Sequence, residues 1–182
     1  TDGYLVGMTN SLAGIGGTKR FFRNKIHAIK YYPVYDQVVM TLGGSVGHVF
    51  GLGEDVNLHD RFTLGGDNLR GFATSGIGPR DSSTKDALGG EWLYHATSQV
   101  NFPIGFPDEL GVSGKLFTDL GSAGQLSSGS TKVNDTGSLR LSVGAGVNWA
   151  SPFGPIGIDL GHPLLKESFD QEEMVRVNFG TK

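Results

Sequence analysis

The sequence predicts an all-β fold, an antiparallel transmembrane β-barrel sheet with about eight strands in this chain, and three observations carry that prediction. Segments of roughly nine or more residues alternate apolar and polar side chains with period two, joined in turn by short and long connections, and no segment has helical periodicity. The polar face of these segments is built from Gly, Ser, Thr and Asn with isolated charges, not from the thoroughly charged surface that a water-soluble sandwich carries. Aromatic residues (Trp92, Tyr94, Phe102, Trp149, Phe179) recur near strand ends. Lipid outside, a polar lumen inside and aromatic girdles at the interfaces produce this combination. On pattern alone a soluble β-barrel or sandwich stays as the alternative.

Composition narrows the classes. The chain has 30 Gly in 182 residues, roughly twice the usual ~7%, without the Gly-X-Y period of collagen. Its hydrophobic content of 37% is low for a domain burying a core, as expected of a sheet with one polar and one apolar face. A net charge of −3 with no basic block argues against a nucleic-acid surface. There is no Cys, which alone decides nothing about compartment. No apolar run is long enough for a transmembrane helix. Opening at Thr1 with neither Met nor an apolar leader, the chain reads as an excised segment of a longer protein.

In chain order, Tyr4 to Leu12 alternates weakly, and Gly14, Gly16 and Gly17 supply a turn. Phe22 to Tyr32 sets Arg23, Lys25 and His27 against Ile26 and Ala28, and Pro33 and Asp36 are expected to end it. From Gln37 to Phe50, Val38, Met40, Leu42 and Val46 oppose Thr41, Gly43, Ser45 and Gly47. After a long connection, Trp92, Tyr94, Ala96, Val100 and Phe102 alternate with Glu91, His95, Thr97, Gln99 and Asn101, before a turn at Pro103 and Pro107. Val112 to Gly121 places Val112, Leu116 and Leu120 outward and Ser113, Lys115, Phe117 and Asp119 inward. Ser122 to Thr136 has loop composition. Leu139 to Trp149 alternates most cleanly, with Arg140, Ser142, Gly144, Gly146 and Asn148 on the polar side. Ile156, Ile158 and Leu160 oppose Gly157, Asp159 and Gly161. A charged stretch from Lys166 to Glu173 precedes a last strand, in which Val175, Val177 and Phe179 oppose Arg176 and Asn178.

The connection between the third and fourth strands contains the stretch around which the rest is organised, Asp60 to Arg80. Its glycines and Pro79 break any period, yet Phe62, Leu64, Leu69 and Phe72 give it more apolar surface than a solvated loop needs. Arg70 stands beside Gly71, where the absence of a Cβ lets a planar guanidinium enter a cavity and take a carboxylate bidentately. Asp119, Gln99, Arg140, Asp159 and Glu91 all fall on the lumen parity. Two readings stand: Arg70 reaches into the lumen to Asp119, or it is a solvated loop residue.

Other motifs are weaker. Gly43-Gly44-Ser45-Val46-Gly47 fits G-x-S-x-G, but a nucleophile elbow needs a strand-to-helix turn and Ser45 lies in mid-strand. His27, His95 and Glu91 read as water-facing lumen residues, since two ligands sharing a face do not make a metal site. No phosphate-binding loop occurs. Asn134-Asp135-Thr136 is a formal sequon in a loop. No cofactor is expected.

Three motifs carry a resemblance. Leu69-Arg70-Gly71-Phe72 followed by Gly76-Ile77-Gly78-Pro79-Arg80, the strand Phe117-Thr118-Asp119-Leu120-Gly121, and Arg140-Leu141-Ser142-Val143-Gly144-Ala145-Gly146 through Trp149 and Ser151-Pro152-Phe153-Gly154-Pro155 resemble, in this order, the signature blocks of the BamA family of outer-membrane protein assembly factors. The resemblance implies a sixteen-stranded barrel of which residues 1–182 are the C-terminal part, with 51–88 a long loop folded into the lumen. It implies a loop latch of Leu69, Arg70, Gly71 and Phe72, lumen partners at Asp119, Gln99 and Arg140, and a seam strand carrying Val175, Val177 and Phe179 within an edge from Met174 to Thr181. The family has a second acid where this chain has Gln99, so that contact is expected to be a neutral hydrogen bond. The implied function is non-enzymatic insertion of β-barrel proteins into the bacterial outer membrane. Unfolded barrel clients and outer-membrane lipid are the implied partners, and accessory lipoproteins would dock on regions outside this chain. A polypeptide-translocating pore of the same superfamily is the alternative. A general porin has less to recommend it, having no reason to carry an apolar inner loop with Arg-Gly-Phe.

Overall fold

A computed structural model describes residues 2–14, 19–126 and 132–180. Eight strands form one antiparallel sheet: β1 (Gly3–Ala13), β2 (Phe21–Tyr35), β3 (Val38–Gly51), β4 (Trp92–Pro103), β5 (Val112–Gly124), β6 (Arg140–Ser151), β7 (Gly154–Leu165) and β8 (Val175–Phe179). Each pairs with its neighbours in sequence, and β1 and β8 are the two edges. Two short 3-10 turns are the helical segments among the described residues. Tight turns join strands at one end (Asp36-Gln37, Pro152-Phe153), and long connections lie at the other, where residues 52–91 run between β3 and β4. The expected glycine turn at Gly16 and Gly17, and the expected end of the seam edge at Thr181, lie outside the described residues.

The side-chain alternation argues against the soluble alternative. Val6, Met8, Val46, Leu116, Leu160 and Val175 are all more than half exposed on the outer face, and among the described residues no second layer covers them. The buried apolar cluster lies on the other side. Val49, Leu93 and Ala123 on the inner wall pack with Val56, Phe62, Leu64, Leu69, Phe72 and Ile77 of the long connection. The loop, not a second sheet, is what this sheet's inner face packs against.

Several boundaries differ from expectation for physical reasons. Pro33 does not end β2: the strand continues to Tyr35 through a register shift between Pro33 and Tyr35, a bulge being where a missing N–H is tolerated. β5 runs past Gly121 to Gly124, although Ser122-Ala123-Gly124 has the composition of a loop. Those small residues are a packing requirement, since a Cβ on Gly124 would lie 2.7 Å from the Trp92 ring in the pair Trp92↔Gly124. β7 is longer at both ends than the Ile156 to Gly161 alternation suggests, and carries Pro163 next to a second irregularity.

Candidate functional site

Tertiary bridges hold the long connection in shape: Phe62 pairs with Gly90, Leu64 with Ile77 and Gly66 with Leu69. The last pairing makes a tight turn through Asp67 and Asn68. It delivers Arg70 to the inner wall, with Leu69 and Phe72 fully buried on either side. Gly71 has φ +93°, and a Cβ there would sit 3.3 Å from Ser142 and 3.4 Å from the backbone of Gly161. The loop therefore touches β6 and β7 at a place where a side chain would be crowded and would have to adopt a φ that L residues rarely take.

Arg70 meets four wall residues. Its Nε donates to Asp119 Oδ2 at 2.7 Å and its Nη2 to Oδ1 at 2.8 Å, a bidentate fork, and its backbone N–H also donates to Oδ2 at 3.1 Å. Nη2 reaches Thr97 Oγ1 at 3.2 Å, and Nη1 donates to Gln99 Oε1 at 2.6 Å. The guanidinium carbon lies 3.5 Å from the centroid of the Phe117 ring. Arg70 is 4% exposed and Asp119 1%, so the fork works in a partly dehydrated setting where charge-assisted hydrogen bonds are strongest. This geometry excludes the reading of Arg70 as a solvated loop residue. Thr97 and Phe117 belong to the same contact, and both stand on the lumen parity legible in the sequence.

Arg140 does not join that cluster. It lies opposite Gly121, one polar-face position beyond Asp119, and its fork takes Asp170, Nε to Oδ2 at 3.0 Å and Nη2 to Oδ1 at 3.1 Å, with Nη1 on the Ser138 carbonyl at 2.6 Å. It fixes the connection between β7 and β8. Nothing in the Lys166 to Glu173 composition distinguishes Asp170 from its acidic neighbours. Asp170 also acts on Arg80: burial lowers that guanidinium from its ordinary value, and the charges of Asp170 and Asp86 oppose the shift.

A third buried pair, Lys115 Nζ to Asp159 Oδ1 at 2.8 Å, lies toward the tight-turn end. Polar contacts link it to the Arg70 seat. Gln99 donates to Asn101 (3.0 Å), Asn148 donates to Asn101 (3.3 Å), and Lys115 donates to Asn148 (2.8 Å). Asn178 of β8 then donates to Asp159 Oδ2 at 3.1 Å. Val175, Val177 and Phe179 point outward on β8, an edge strand whose one sheet neighbour is β7.

Beside the seat, a cavity of about 780 Å³ is lined by Lys25, His27, Ser45, Asp67, Arg70 and His95, among others. Ser45 lies within the continuous strand β3, paired with His27 and His95, with its Oγ 3.2 Å from His95 Nδ1. No strand-to-helix turn is present there. Among the described residues no group of three potential ligands could hold a metal ion.

The sequence profile of the Omp85 superfamily domain matches residues 1–182. The outer membrane protein assembly factor BamA of Neorickettsia risticii is 38% identical over 176 residues, which cover 96% of this chain and 24% of that protein. BamA of Neisseria meningitidis serogroup B is 27% identical over 208 residues, covering 100% and 26% respectively. BamA of Nitratidesulfovibrio vulgaris is 31% identical over 185 residues, covering 98% and 22%. This chain thus spans about a quarter of the length of these curated relatives. The crystal structure of BamA from Haemophilus ducreyi lacking POTRA domains 1-3 has the same fold, with a TM-score of 0.85 at 20% identity over 97% of this chain and 38% of that one.

Proposed function

The chain belongs to the Omp85 superfamily of outer-membrane β-barrel proteins, and from that premise we propose that it is the C-terminal part of a non-enzymatic insertase, which folds β-barrel proteins into the bacterial outer membrane through a lateral seam at β8. The observation that carries the seam is an asymmetry of pairing. Among the described residues, β8 meets β7 at five paired positions, whereas β6 and β7 pair at eleven. A short edge strand is the cheapest one to release, and its unpaired N–H and C=O groups can template an incoming strand by β-augmentation. Unpaired backbone is costly in lipid, so the client's own folding supplies the driving force. The relatives that bear the name of an assembly factor support this reading over a secretion pore.

In this reading the loop of residues 51–88 is an internal brace. Arg70 on Asp119 is its latch, Gln99 supplies a neutral second contact, and Leu69 and Phe72 anchor it in the apolar cluster. Clients are unfolded outer-membrane proteins, and accessory lipoproteins bind parts of the protein beyond this chain. The test is a charge swap in the full-length parent: Arg70→Asp, Asp119→Arg, and both together, scored for growth and outer-membrane protein levels. Defective single variants with partial recovery in the double support the latch and the assembly role together. Normal growth and normal outer-membrane protein levels in both single variants refute the latch.

A further inference from the structure

The loop touches the last strand as well as the wall. After β7, the chain does not return directly to the sheet. Glu172 and Glu173 pair with Phe72 and Gly71 of the loop. Ala73 N donates to Gln171 O and Gln171 N to Gly76 O, both at 2.9 Å. Only at Met174, whose carbonyl accepts from Gly161 N at 2.8 Å, does the chain rejoin β7. Among the described residues, the β7 ladder to β8 goes no further than that rung. The loop therefore takes up the backbone groups of residues 171–173 where β7 offers them little, because the next β7 position facing β8 is Pro163, which has no N–H to donate.

One side chain fastens this arrangement. Arg176, on the inner face of β8, donates from Nη2 to Thr74 Oγ1 at 3.1 Å and from Nη1 to Asp67 Oδ1 at 3.5 Å, both loop residues, and from Nη2 to Glu173 at 2.8 Å. Its guanidinium lies against the loop turn, since a Cβ on Gly66 would fall 3.2 Å from Nη2. Asp67 and Thr74 flank the Arg70 latch in sequence, so the loop is gripped at the wall by one arginine of its own and at the edge strand by an arginine of β8.

We propose that Arg176 is a second positioning residue of the insertase, tying β8 to the loop seated on Asp119 so that the edge strand closes on β7 in one register. This rests on the insertase reading above. Releasing the tether frees residues 171–173 from the loop, loosens the register in which β8 closes on β7, and slows the closing step of insertion.

The experiment uses the full-length protein in lipid nanodiscs. The variant Asp67→Ala/Thr74→Val removes the loop's two acceptors and leaves Arg176 its Glu173 partner. Hydrogen exchange at the Ala73 and Gln171 amides should quicken about three- to fivefold, the scale of a partly exposed ion pair, while amides in mid-β6 stay unchanged. Arg176→Gln should match this, and Arg176→Lys should retain part of the protection. In proteoliposomes, insertion of a barrel client should slow by a similar factor. Unchanged exchange in the double variant overturns the tether whatever insertion does. Faster exchange with insertion unchanged or quicker overturns its role in insertion. If Arg70→Ala also leaves insertion untouched, the latch reading fails separately, and the exchange arm still decides the tether.

Discussion

Truncating the two sides of the Arg70–Asp119 pair should have unequal effects. Asp119→Ala leaves an ionised guanidinium that is almost wholly buried, with Gln99 and Thr97 as its remaining hydrogen-bond partners. Removing one member of a buried pair costs about 3–5 kcal/mol, because the other charge is stranded. Arg70→Ala is milder: Asp119 keeps the residue-70 backbone N–H and the Thr97 hydroxyl, and the loss is on the scale of charge-assisted hydrogen bonds, about 1.5–3 kcal/mol. Because both variants remove the same contact, the double should cost less than the sum, with a coupling of about 2 kcal/mol. The assay is the opening free energy of the loop in the full-length protein, read from exchange of the Gly66 and Ile77 amides, which donate to Phe72 and Leu64 within the loop. Asp119→Ala should raise loop opening about 10²–10³-fold. Additivity within about 0.5 kcal/mol, or Arg70→Ala as the more damaging change, would refute the argument that a stranded charge dominates.

Gln99→Glu should slow loop exchange, because the 2.6 Å contact from Arg70 Nη1 becomes an ion pair with charge on both sides; Gln99→Leu should quicken it, and equal exchange in the two variants would contradict the role given to that hydrogen bond. Gly71→Ala should loosen the loop by about 1–3 kcal/mol through its left-handed φ and contact with β6 and β7, seen as protease cleavage within residues 60–80; an unchanged digest would show that the loop can shift without leaving its seat. The Asp81 carboxyl is held down to about 2, chiefly by the Ser83 hydroxyl and then by the Thr84 and Ser83 backbone N–H groups. Its folded value lies below the unfolded one, so its support for the turn is fully present above about pH 4 and is lost as the pH falls through about 2; NMR titration of the Ser83 and Thr84 amides should give that midpoint, and one near 4 would show that the turn does not hold the carboxylate. Isolated residues 1–182, with the outer edges of β1 and β8 both unpaired in the sheet, should aggregate or need a companion chain in detergent; a monodisperse, heat-modifiable monomer would contradict this.

The sheet was legible because a transmembrane strand must show a different face to lipid and to lumen, and period two writes that demand into every segment. Its ends were less legible. Pro33 and the Ser122-Ala123-Gly124 run carry loop-like residues inside strands, one at a bulge and the other beneath Trp92, and each depends on a cross-strand neighbour that local composition does not reveal. Parity alone made Asp119, Thr97 and Gln99 available to Arg70. It could not exclude Arg140, which shares the parity but stands one position too far along β6 and is taken by Asp170. That pairing, like the grip of Arg176 on Asp67, joins residues far apart in sequence through irregular backbone, where no period constrains which acid meets which base.

The shortness of β8 raises a question of register that its polar face answers. Five paired positions are few enough to release, and a strand held so lightly is also free to slide. A slip of one residue, however, would turn every side chain to the opposite face. Val175, Val177 and Phe179 would enter the lumen, while Asn178 would leave Asp159 and Arg176 would face lipid, where a cation near the bilayer midplane costs about 2–4 kcal/mol. A slip of two keeps the faces but moves both Asn178 off Asp159 and Arg176 off its loop acceptors. Backbone pairing thus sets how easily β8 opens, and the Asn178 and Arg176 contacts set where it closes. The insertase proposed above needs both properties in its edge strand, and here they reside in different groups, so that either can be altered by mutation without the other.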